Sequence, residues 1–195
     1  MTMQVRMWVA ALSFVAVLGL TASASSLLGE DKEVTAIKKL AEVYKKGKAA
    51  DTKKAAEETA KMFADISDAM ALFRPRNKHG MGWGSTAGKN PATDGLEKKI
   101  QEFTKAVPPA TVAEADNNVE AASWIGALGE IMIAKAPKDG GAGKTKKAWI
   151  GYAEDMQKAS AEFAKAAAAK KGPDMVKAAN KINSACNSCH SKFKE

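Results

Sequence analysis

Residues 173–193 read PDMVKAANKINSACNSCHSKF, and this stretch decides the fold. Its apolar positions Met175, Ala179, Ile182, Cys186, Cys189 and Phe193 recur at steps of three and four. That period places them on one face of an α-helix. Pro173, directly after Gly172, suits a first helical turn, where its missing N–H costs nothing. The spacing therefore predicts a helix over 173–193, with both cysteines of the chain on its buried face.

The same period recurs upstream. Trp149, Tyr152, Met156, Ala159, Phe163 and Ala166 predict a helix over 145–170. Val119, Ala122, Ile125, Leu128 and Met132 mark another, over 112–136, ending before Pro137. Thr59, Met62, Phe63, Ile66, Met70 and Phe73 predict a continuous helix over 52–73, stopped by Arg74-Pro75. Val34, Ile37, Leu40 and Tyr44 suggest a shorter helix over 31–47, broken near Gly47. Leu96, Ile100 and Phe103 suggest one more before Pro108-Pro109. Alanine, lysine and glutamate abound and only six prolines occur, a helix-forming composition. The fold class is all-α. An antiparallel four-helix bundle with extra short N-terminal helices is expected, in one domain over 25–195.

The string Cys186-Asn187-Ser188-Cys189-His190 carries the chemistry. Cys-x-x-Cys-His is the attachment spacing of a c-type haem. Two thiols add across the two porphyrin vinyl groups, and the histidine reaches the iron as its proximal ligand. One covalent haem c, held by Cys186 and Cys189 with His190 on the iron, is the expectation. A disulfide between Cys186 and Cys189 would close a very small loop and constrain little unfolded-chain entropy. A thioredoxin-like pair needs a strand-to-helix setting that the sequence does not offer. Zinc needs four ligands, and beyond Cys186, Cys189 and His190 only the distant His79 is on hand.

The N-terminus suggests the compartment. Residues 1–24 hold a single charge, Arg6, then an apolar run over 7–20, then Ala22-Ser23-Ala24. Those are the three regions of a secretory signal peptide, with cleavage expected after Ala24. As a membrane span the run is short of the about 20 apolar residues required. An exported, periplasmic protein without stable membrane insertion is expected. The formal net charge of +8 falls by one when Arg6 leaves. For an exported protein this argues against nucleic acid and for solvated helix faces that steer acidic redox partners.

These residues together resemble the cytochrome c prime family, in which Cys-x-x-Cys-His lies near the C-terminus on the last helix of a bundle. The likeness is closest over 146–194, where a Trp-initiated, alanine-rich helix and a short turn precede the motif helix. It is fainter over 112–136 and weak before that. The resemblance implies four antiparallel helices enclosing the haem, with Cys186, Cys189 and His190 in the motif positions. Lys194 falls where the family keeps a basic residue near the proximal imidazole, although a lysine is a point charge rather than a fork-shaped donor. The resemblance also implies two functions, divided by the sixth iron ligand. Low-spin relatives take a methionine from the first long helix and look like electron carriers, a thioether raising the potential. Others leave that side apolar and bind nitric oxide or carbon monoxide. Here the matching segment carries Met70, the preferred distal ligand, and Met62, the alternative; both also suit plain core filling. Family members often pair as antiparallel homodimers.

Residues 74–95 depart from the family pattern as a long, basic, glycine-rich loop containing Trp83. His79 or Met81 as a cap on the iron, and Arg74 or Arg76 as partner of a propionate, are the alternatives there, and a surface loop is the expectation. Gly141-Ala142-Gly143-Lys144-Thr145 looks like part of a phosphate-binding loop, yet Lys138 stands where its first glycine belongs. An interhelical linker and a Thr145-capped helix are expected instead. No set of acids and bases suggests catalysis. Electron transfer in the periplasm is thus the leading expectation, five-coordinate gas binding the alternative, and an enzyme is not expected.

Overall fold

In chain order the helices are α1 (Lys32–Lys45), α2 (Ala49–Ala60), α3 (Ile66–Ala71), α4 (Leu96–Phe103), α5 (Pro109–Ala113), α6 (Ala115–Ala134), α7 (Lys146–Ala168) and α8 (Gly172–Phe193). They come from a computed structural model that describes residues 32–85, 90–140 and 143–194. The leader read over 1–24 lies outside these residues. The described residues are all-helical, with one 3₁₀ turn at Arg76–Lys78 and no strand.

The core is an antiparallel succession of α6, α7 and α8. Trp149 at the start of α7 donates its indole N–H to the Met132 carbonyl near the end of α6, at 2.6 Å. Further along, Gln157 reaches the Gly126 carbonyl at 3.5 Å. On the other side Phe193, at the end of α8, meets Trp149 edge-to-face with ring centroids 5.0 Å apart. Lys181 reaches back to Glu162 at 2.6 Å. Residues 121–129 of α6 are all buried, as a central helix must be. Thr145 caps α7 through its hydroxyl, which accepts from the Ala148 N–H at 3.1 Å. α1 and α2 pack on α6, and α4 packs on α8.

Two expected helices are broken. The continuous helix read over 52–73 is α2 and α3, separated at 61–65. Asp65 accepts from the Ser67 N–H at 2.6 Å, and the Asp68 carboxylate takes the Asp65 N–H at 3.2 Å. This reciprocal box starts a new helix more favourably than the old one continues. The phase shift turns Met62 outward, 43% exposed, while Thr52, Ala56 and Ala60 form the buried face of α2. The helix read over 112–136 likewise divides at Glu114, whose ψ of 52° is not helical, into α5 and α6. The helix read over 31–47 is α1, those read over 145–170 and 173–193 are α7 and α8, and the short one from Leu96 is α4. Among the described residues, α1 and α2 lie on the α6 side and α4 on the α8 side.

Candidate haem site

Cys186, Cys189 and His190 lie on the last turns of α8. Three- and four-residue spacing keeps them on adjoining rows of the helix surface. Cys189 is buried, Cys186 is partly buried and His190 is exposed, so the three descend from core to solvent along one flank. Both cysteines are free thiols. Burial pushes Cys186 up to about 12, with the Glu97 carboxylate of α4 and Cys189 adding to the effect. Burial alone pushes Cys189 up to about 11. Both groups are therefore protonated thiols at neutral pH.

α4 supplies the wall beside Cys186. It runs antiparallel to α8, with Asn180 donating to the Thr104 carbonyl at 2.9 Å and Glu97 facing Cys186. The Glu97 N–H donates to the Phe73 carbonyl at 3.2 Å. The Phe73 N–H in turn donates to the Met70 carbonyl at 3.1 Å. The last turn of α3, the first turn of α4 and Cys186 are thus neighbours. Met70 is partly buried against the core, whereas Met62 stands on the surface. Lys194 is exposed and its N–H donates to the His190 carbonyl at 3.0 Å. Among the described residues its ammonium makes no ion pair. The far flank of the α8 terminus is closed by Phe193 against Trp149 and Tyr152.

Among the described residues of 74–95, the expected surface loop is in part buried. Pro75, Gly80, Met81, Gly82, Trp83, Gly84, Asp94 and Gly95 are all buried. Trp83 lies edge-on to Phe103 of α4 and Phe163 of α7, at 5.1 and 5.7 Å. Its indole N–H donates to Asn118 of α6 at 2.9 Å, and its backbone N–H to the Asp94 carboxylate at 3.1 Å. Arg76 pairs with Asp94 and also donates to the Gly84 carbonyl. Gly84, at φ +67°, is required, because a Cβ there would strike the Asn117 carboxamide. Two apolar anchors and one buried acid, spaced by glycines, pull the basic segment inward. His79 is exposed in a left-handed turn at φ 60°, and the Met81 N–H donates to the Leu72 carbonyl at 2.9 Å. The structure thus adds Glu97 to the surroundings of the motif, and Asp94 and Asn118 to those of Trp83.

The donor set suits a c-type haem: two unpaired thiols one turn apart, and an imidazole at the next position that is open to a ligand. Among the described residues no group of three or more His, Cys, Asp or Glu side chains is arranged to hold a metal ion directly. Nor is any described helix long and apolar enough to cross a membrane. Comparison with family models, curated proteins and solved structures found no match.

Proposed function

We propose that this chain is an exported, periplasmic c-type haem protein whose function is electron transfer. The observation that supports it most is the pair of free thiols on one helical turn, with His190 directly after them. Cys186 and Cys189 would form the two thioethers, and His190 would bind the iron. A bound haem supplies reversible one-electron exchange, its potential set by axial ligands and surroundings. The group would be held on the α8 flank where α4 packs, with Met70 of α3 as the distal ligand. Met70 is preferred because Phe73 and Glu97 link its turn to Cys186, while Met62 is exposed. In this reading α6, α7 and α8 are three members of a four-helix haem bundle, and α2–α3 with α4 share the fourth place.

Mass spectrometry of the protein made with a cytochrome c maturation system is the decisive test. One added haem that resists acid-butanone extraction is expected; the mass of the bare polypeptide would overturn the proposal. His190→Ala should keep the thioethers and abolish the native spectrum. Met70→Leu keeps the apolar volume and removes the sulfur lone pair. It should convert a low-spin protein to a high-spin form that binds carbon monoxide. If the native protein already takes up carbon monoxide readily and Met70→Leu changes nothing, the gas-binding function replaces electron transfer.

A further inference from the structure

The end of the molecule that carries the motif is lined with lysine. The loop from α6 to α7 and the first turn of α7 contribute Lys135, Lys138, Lys144, Lys146 and Lys147. The end of α8 contributes Lys192 and Lys194. They converge because Trp149 packs on Phe193, and because Lys192 reaches the loop; a Cβ on Gly143 would lie 3.5 Å from its ammonium. Asp65 lies close enough to Lys135 to offset it, but the other acids nearby do little. Asp139 is turned back onto the Lys146 N–H at 2.6 Å, and Glu154 lies two turns along α7. Among the described residues Lys138, Lys146, Lys147, Lys192 and Lys194 make no ion pair. Elsewhere some lysines are paired, as in Lys181–Glu162 and Lys177–Asp174; what sets this end apart is that lysines from the loop, the start of α7 and the end of α8 converge on it.

We infer that this lysine-lined end, formed by the α6–α7 loop and the terminus of α8, is the docking surface for an acidic protein partner. The identification of that partner as a redox protein rests on the electron-transfer proposal; the surface itself does not. Unpaired like charges on one face raise the local potential and speed encounter with an oppositely charged surface. A membrane would be gripped by inserted apolar side chains as well as by charge. Here Trp149 and Phe193 are turned onto each other, so the face offers charge without an aromatic anchor. A site beside His190 also keeps any partner within a few residues of the electron's exit.

The test uses the protein as isolated, with its haem content measured first. An acidic flavodoxin is the protein probe and phosphatidylglycerol vesicles are the membrane probe. At low ionic strength the flavodoxin should shift the backbone NMR signals of residues 138–147 and 190–194. The double variant Lys138→Glu, Lys147→Glu should slow association on the order of tenfold, an effect that disappears in high salt. The control Lys39→Glu, Lys53→Glu, two exposed lysines on α1 and α2, should leave association unchanged. Equal losses in both pairs, shifts elsewhere on the surface, or tight binding to vesicles but not to flavodoxin would each overturn the inference. Haem-free protein that still docks flavodoxin on these lysines would defeat the electron-transfer proposal and leave the surface standing. Haem-loaded protein that fails to dock would do the reverse.

Discussion

The segment 74–95 and the α6–α7 loop over 135–145 are alike in composition and opposite in fate. Both are basic and rich in glycine, and neither carries an α-helix among its described residues. The first is drawn into the interior, whereas Lys138, Asp139, Gly140 and Gly143 of the second are exposed. The loop holds itself together locally, with Gly140 donating to Lys144 at 2.8 Å and Thr145 to Gly143 at 2.9 Å. The inner segment bonds instead to α6 through Asn117 and Asn118 and packs on α4 and α7. Glycine and charge make a connection; a tryptophan and a buried acid make it a plug. A single large apolar side chain outweighs several flanking cations, because the cations keep their heads in water while the ring leaves it.

The contrast can be broken most directly at its anchor. Trp83→Ala should cost about 4 kcal/mol of stability in urea unfolding, the usual price of emptying a core tryptophan site. A loss below about 1 kcal/mol would mean that the segment does not pack as described. Asp94→Ala should come next, at about 3 kcal/mol, since it strands the Arg76 guanidinium and the Trp83 N–H. Arg76→Met introduced beside it should recover part of that loss in a double-mutant cycle, by removing the uncompensated charge.

Smaller effects sharpen the comparison. Asn118→Ala should cost about 2 kcal/mol, because the buried indole N–H and the Thr111 carbonyl both lose a partner. Adding Trp83→Phe should reduce the cost of the Asn118 change to the part that falls on the Thr111 carbonyl, since the indole donor is gone. At the exposed loop the opposite behaviour is expected. Doubling its length with glycine and serine between Gly140 and Gly143 should cost only about 0.6 kcal/mol, the entropy of closing a longer loop. A loss of several kcal/mol there would place that loop, too, in the packed interior.

Legibility followed how far each signal reaches. The stripes of α7 and α8 could be read because an amphipathic helix carries its period in its own residues. The pairing of Cys186 with Cys189 on one helical face came with them. The stripe through Thr59, Met62 and Phe63 predicts one continuous helix, whereas the Asp65–Asp68 capping box, also written in the sequence, starts a new one. Met62 was consequently placed inward when it lies outside. Glu97 acts on the Cys186 thiol only because α4 returns antiparallel to α8, which no local pattern encodes.

By itself, the sequence determined an all-helical chain, three long helices near their observed positions, and a thiol pair with an adjacent imidazole on one of them. Those properties depend on residues within a few turns of one another, where backbone geometry alone sets which side chains share a face. Tertiary packing decided the burial of Trp83 and Asp94, the exposure of His190, the joining of the end of α3 to the start of α4, and the gathering of lysines from separate elements at one end. Each of these requires segments far apart in the chain to meet. Which segments meet is settled by filling one common core, so no stretch of sequence read alone can specify it.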